Sequence, residues 1–188
     1  MVVLTSDHGD LMGAHGLYLK NVAAFEEIYE IPMVLAGPDV ARGIVSNARV
    51  GLHDLCPTLC EVAEVPAIGA PESRSFRGLL RDPAVQVDEF NSGYAEYSGT
   101  RYLLTQRVIW DGDWKLVWNG FDFDELYNLT DDLYELRNLI DEPAHEEHVR
   151  RLMTRAWGIV RDSGDHALYR SGNWVLRLAP IGPRVLDA

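Results

Sequence analysis

Short apolar runs broken by glycine and proline fill the first half of the chain, and longer patterned segments fill the second. Val2-Val3-Leu4 is a continuous β-branched-rich run that ends in the polar cluster Thr5-Ser6-Asp7-His8-Gly9-Asp10. A run of this kind suits a strand at the centre of a parallel sheet covered on both faces. Gly9, Gly13 and Gly16 mark an irregular loop reaching to Lys20. Residues 25–29 suit a helical turn or two that Pro32 stops, and Met33-Val34-Leu35-Ala36 reads as a second buried strand closed by Gly37-Pro38. A third short strand is expected near Ala48 to Leu52. Asp54 is then placed as the N-cap of a helix in which Leu55, Leu59, Val62 and Ala63 recur at helical spacing.

Residues 65–88 are loop-rich, with a short helix expected at Ser75 to Arg81, and the pattern changes near Asp88. Arg101 to Trp110 and Trp114 to Asn119 are aromatic and β-branched runs linked by Asp111-Gly112-Asp113, which predicts a hairpin. Pro143 at a helix N1 opens a long helix to about Val160, with Val149, Leu152, Met153, Ala156 and Val160 as its apolar stripe. That stripe should cover one face of the hairpin sheet. The tail 163–188 has no assignable pattern. The expected class is α/β: a parallel-sheet portion over 1–88 and a small α+β subdomain with an antiparallel hairpin and a covering helix over 89–188.

Composition narrows what the fold can serve. The 188 residues are 47% hydrophobic and 24% charged, a globular balance. Asp plus Glu outnumber Lys plus Arg by 29 to 17, a net charge of -12. Such a surface repels phosphate backbones and argues against a nucleic-acid partner. Anion chemistry would need a local positive focus, such as a metal ion with a nearby Lys or Arg. Two cysteines make no disulfide framework. The sequence has no transmembrane run and the start lacks the basic region of a signal peptide, so no membrane partner is expected. A chain that truly began there would stay in the cytoplasm. The abrupt entry onto an apolar strand suggests instead that sequence upstream is missing.

Asp7 and His8 hold the chemical interest. A carboxylate and an imidazole side by side at a strand end can share a divalent cation, and Lys20 can bring a second positive charge to the same anion. The plain alternative is a strand-end turn with a solvated His and a surface Lys. Cys56, Cys60 and His53 could form a zinc site, but helix cysteines beside Leu55 and Leu59 read better as packing. Asn128-Leu129-Thr130 is a glycosylation sequon within a structural segment. Trp110, Trp114, Trp118 and Tyr127 suit cross-strand packing more than a carbohydrate platform. Glu146, Glu147 and His148 read as a solvated helix face.

The stretch from Ser6-Asp7-His8-Gly9 through Gly13-Ala14-His15-Gly16 to Lys20 closely resembles the sulfatase family of the alkaline phosphatase superfamily. The resemblance continues through Tyr29 to Val34, His53-Asp54-Leu55-Cys56-Pro57-Thr58, Trp114-Lys115-Leu116 and Glu125-Leu126-Tyr127-Asn128-Leu129, in the family's order, to about residue 140. It implies that Asp7 and His8 bind a divalent metal, Ca2+ by preference, that Lys20 contacts the sulfate of a small sulfate ester, and that His15 at most supports the loop. The family's formylglycine arises from a Cys/Ser-x-Pro/Ala-x-Arg motif, which these residues lack, together with a further pair of metal-binding aspartates. The resemblance therefore implies a C-terminal portion, inactive alone, with two of the roughly six to eight ligands that Ca2+ takes. Two other readings stay open: a phosphodiesterase or phosphonate monoester hydrolase of the same superfamily, and a non-catalytic remnant or complementing half that binds an N-terminal segment.

Overall fold

The computed structural model describes residues 1–20, 22–68, 72–85, 88–99, 104–120, 122–165 and 181–187. The chain forms two compact units, Met1–Gly93 and Tyr94–Ala188. Part of the expected 101–110 strand and most of the 163–188 tail lie outside the described residues.

In the first unit, strand β1 (Val2–Thr5) pairs with β2 (Met33–Ala36), Val3 opposite Leu35. The pairing is antiparallel, which corrects the expected parallel arrangement for these two strands. A parallel pair needs a crossover of a dozen or more residues, usually a helix, that carries the chain back. Among its described residues the intervening chain holds only a 3-10 turn (Ala14–Gly16) and one helical turn, α1 (Glu26–Tyr29), and it returns in the opposite sense. Met33 and Leu35 turn inward onto a core of Phe76, Leu79, Leu80 and Phe90, joined by Val50, Leu55 and Val62. Val2, Leu4 and Val34 are exposed, so β1 is not the two-face-buried strand expected of it.

Helix α2 (Leu52–Val62) starts two residues before Asp54 and displaces the third strand expected at 48–52. Asp54 is thus the third helical residue, not the cap. Its carboxylate reaches back to accept the Gly51 N–H at 2.9 Å, as the acidic member of a capping box does. Helix α3 (Arg77–Arg81) lies within the span expected for it. Cys56 is exposed and Cys60 half-buried, so the cysteines are not core residues.

The second unit holds a four-stranded sheet in the order β3 (Ser92–Tyr97), β4 (Gln106–Asp111), β5 (Trp114–Asn119) and β6 (Glu125–Asn128). The β4–β5 hairpin is closed by Gly112-Asp113, with Gly112 at φ 58°, the first loop position where two-residue hairpins favour glycine. Helix α4 (Glu146–Ser163) follows a 3-10 turn at Pro143–His145. Its buried stripe of Val149, Leu152, Met153, Ala156 and Val160 packs on Ile109, Leu116, Trp118 and Leu126. Each fully buried aliphatic side chain of this size contributes roughly 1.5–3 kcal/mol. The other sheet face, with Val108, Lys115, Val117 and Tyr127, is buried as well. Among the described residues no helix is long and apolar enough to cross a membrane.

Candidate metal and anion site

The end of β1 delivers Ser6, Asp7 and His8 into a tight turn. The Asp7 carboxylate accepts the His8 N–H at 3.1 Å, and Ser6 Oγ donates to the His8 carbonyl at 2.7 Å. His8 Nδ1 lies 2.7 Å from the Gly9 carbonyl. A carbonyl only accepts, so Nδ1 is the donor in this contact. Nε2 stands 3.7 Å from Asp7 Oδ2, and both side chains are open to solvent. Two ligands about 2.4 Å from one cation at right angles stand roughly 3.4 Å apart. The 3.7 Å separation is close to that figure, and a backbone acceptor on the far ring nitrogen is the support that metal-binding histidines usually have. The Asp7 carboxyl is held below the usual carboxylate range, first by its own backbone amide and then by His8, so it is ionised at neutral pH. Among the described residues no group of three or more His, Cys, Asp or Glu could hold a metal ion.

Gly9 is where the turn meets its support. Its N–H donates to the Ile28 carbonyl at 2.9 Å, and a Cβ on Gly9 would collide with the Glu27 carbonyl. Only glycine permits that approach of β1's end to α1.

The following loop is closed by backbone bonds from Leu11 N to the Leu19 carbonyl at 3.2 Å and from Gly13 N to the Leu17 carbonyl at 2.9 Å. Met12, Gly13, His15, Gly16 and Leu19 all adopt positive φ. Such a concentration of unfavourable backbone angles persists only where surrounding structure enforces it, and it gathers at functional sites. The Leu11–Leu19 bond brings the loop's end back beside its start, and exposed Lys20 follows directly on that contact. His15 points elsewhere. Its ring stacks on Phe25, centroids 3.6 Å apart and planes within 5°, and its Nε2 stands 3.5 Å from Glu27 Oε1. Sequence reading singled out His15 but not these two partners, because stacking across a returning loop leaves no periodic signal.

Other motifs of the resemblance have structural roles. Thr58 Oγ1 donates to the Asp54 carbonyl and accepts the Phe76 N–H, while Asp54 Oδ1 accepts the Arg74 N–H at 2.8 Å. The Asp-x-x-Pro-Thr pattern thereby pins residues 74–76 onto α2. Asn128 spends its side chain on a turn, with Nδ2 donating to Asp131 at 2.8 Å. Trp118 packs against Trp157, and His148 is not a solvated residue, since its ring stacks on Trp114 at 3.8 Å.

Residues 13–161 match the family model described as N-sulphoglucosamine sulphohydrolase, C-terminal. The chain belongs to the sulfatase family. It is 35% identical over 143 residues to an uncharacterized sulfatase, YidJ, of Escherichia coli (strain K12), covering 75% of this chain and 28% of that protein. To the choline-sulfatase of Rhizobium meliloti (strain 1021) it is 32% identical over 145 residues, covering 76% and 27%. The chain thus spans just over a quarter of the length of these sulfatases. Among solved structures, a 2-O GAG sulfatase superposes with a TM-score of 0.80 at 23% identity, over 98% of this chain and 39% of that one. A phosphonate monoester hydrolase from Silicibacter pomeroyi superposes with a TM-score of 0.73 at 23% identity, over 88% of this chain and 35% of that one.

Proposed function

We propose that these residues supply part of the metal and anion site of a sulfatase that hydrolyses small sulfate esters. The observation that carries the reading is the 3.7 Å approach of His8 Nε2 to Asp7 Oδ2, with Nδ1 engaged by the Gly9 carbonyl. Asp7 and His8 would hold a divalent cation, which the sulfatase resemblance implies is Ca2+, with the Asp7 carboxylate as its oxygen ligand. When bound, that cation supplies Lewis-acid charge next to the non-bridging oxygens of the ester. Asp7 holds its carboxylate ionised, and Gly9 fixes the His8 ring by its carbonyl. The Lys20 ammonium donates to the ester oxygens and binds most strongly as charge builds on them. No residue of the 188 has the formylglycine motif, so the reading assigns the nucleophile to none of them.

The β1–β2 face that carries Val2, Leu4 and Val34 is exposed, an apolar surface that an N-terminal sulfatase segment would cover. The same Asp-His pair would equally serve a phosphonate ester, so substrate choice is read from assay and not from this pair.

The test is a Ca2+ titration of the chain and of its Asp7→Asn and His8→Ala variants by nuclear magnetic resonance. Weak binding that shifts the backbone amide signals of residues 7–9 and vanishes in both variants is expected. Shifts that survive Asp7→Asn would overturn the site. Turnover of an aryl sulfate by the 188-residue chain would overturn the assignment of the nucleophile elsewhere.

A further inference from the structure

The segment around α1 touches the site twice. Its Ile28 carbonyl and Glu27 backbone receive Gly9, which ends the turn carrying Asp7 and His8. In the same stretch, the Phe25 ring and the Glu27 carboxylate receive His15, the apex of the loop that leads to Lys20. One short stretch, Phe25 to Ile28, is thus the common anchor for both halves of the site. His15 is nearly enclosed there, with 12% of its side chain exposed, so it is not open to a substrate or a metal. Its backbone sits at φ 54°, which a side-chain-bearing residue keeps only when its surroundings hold it. A parallel ring stack at 3.6 Å and a carboxylate beside Nε2 are those surroundings.

We infer that His15 is a positioning residue: clasped by Phe25 and Glu27, it keeps the 11–19 loop shut and so holds Lys20 at the strand end that bears Asp7 and His8. The clasp stands on the geometry alone. That Lys20 and the Asp7–His8 pair address one ligand rests on the function proposed above. His15 acts through the loop. Its loss should open the Leu11–Leu19 and Gly13–Leu17 closures without disturbing the core around Phe76.

The experiment compares amide hydrogen exchange in the 188-residue chain and its His15→Ala and His15→Phe variants. In His15→Ala the Leu11 and Gly13 amides should exchange at least about tenfold faster, while the Phe76 amide keeps its protection. His15→Phe retains the stack and should recover most of the loss. Added Mn2+ then gives a positional readout. In the parent chain it should broaden the signals of both His8 and the Lys20 side chain, and in His15→Ala those of His8 only. Unchanged protection at Leu11 and Gly13 in His15→Ala, or undiminished broadening of Lys20, overturns the inference. If Mn2+ leaves His8 untouched in the parent chain, the metal reading falls and the exchange comparison alone decides the clasp. If His15→Ala loses Phe76 protection through unfolding, Phe25→Leu, which removes only the stack, carries the same comparison.

Discussion

Lys115 Nζ lies 2.7 Å from Glu135 Oε1, and neither side chain reaches solvent. The ammonium also stands 5.4 Å from the centroid of the Trp110 ring, which adds an attraction for the cation. Glu135 reaches it from a residue at φ 49°, in the segment that follows β6. A buried pair is costly to break from one side, because the remaining charge keeps its desolvation penalty without a partner. Glu135→Ala should therefore destabilise the second unit by about 3–5 kcal/mol. The double variant Lys115→Met/Glu135→Leu should restore most of that loss. Urea denaturation followed by tryptophan fluorescence measures both, and a mild Glu135→Ala with a worse double variant would refute the account.

Asp54 gives the first unit a comparable fastening of another kind. Its two oxygens accept the Gly51 and Arg74 amides, one starting α2 and the other securing the segment before α3. Asp54→Ala leaves both donors without their acceptor, at a cost of about 1–3 kcal/mol. Asp54→Asn can still accept at one oxygen and should cost less. Thermal unfolding of the three chains tests that order.

These two fastenings show what the sequence could and could not disclose. The α4 stripe from Val149 to Val160 was legible because burial on one helix face writes a 3.6-residue period into the chain. The Asp7–His8 pair and Lys20 stood out because the glycines around them are needed by the backbone, as the Gly9 approach to Glu27 demonstrates. Asp54 was misplaced by three residues because a capping carboxylate can sit at either end of the first turn, and composition does not say which. Strands β3 and β6 carried no clear alternation. In β6 the burial of Leu126 and Tyr127 on opposite faces makes adjacent residues apolar and erases the period of two. His148 looked solvated beside Glu146 and Glu147, since its stacking partner Trp114 lies more than thirty residues away. The direction of the β1–β2 pairing depended on how the 6–32 loop returns, which no local pattern records.

The Gly9 approach makes its own prediction. Gly9→Ala forces the strand end and α1 apart, because the new methyl group meets backbone and not a flexible side chain. The displaced residue is also the acceptor for His8 Nδ1. Loss of such outer support typically weakens metal affinity about 10–100-fold. Terbium luminescence titration of the 188-residue chain, with terbium standing in for Ca2+, should show a shift in that range. Equal affinity in Gly9→Ala would mean that the turn does not depend on its contact with Glu27.

His148 makes the second unit sensitive to pH. Its ring lies on Trp114 at 3.8 Å, and its Nδ1 is buried with no hydrogen-bond partner among the described residues. Burial first, then Arg151 and His145, hold the imidazole below the usual histidine range, and Glu147 opposes them only weakly. An unfolded histidine titrates near 6.5. Between that value and the lower folded one, the unfolded chain binds more protons than the native chain, so stability falls as the solution is acidified. The contribution is whole above about pH 6.5 and is lost progressively as the pH drops through the folded value. Arg151 is held with Arg155 on the Asp111 carboxylate. His148→Phe preserves the stack and removes the titration. The midpoint of urea unfolding, measured from pH 8 to pH 5, should therefore fall more steeply for the parent chain than for His148→Phe. Parallel curves would assign the acid sensitivity to other groups and leave His148 a packing residue alone.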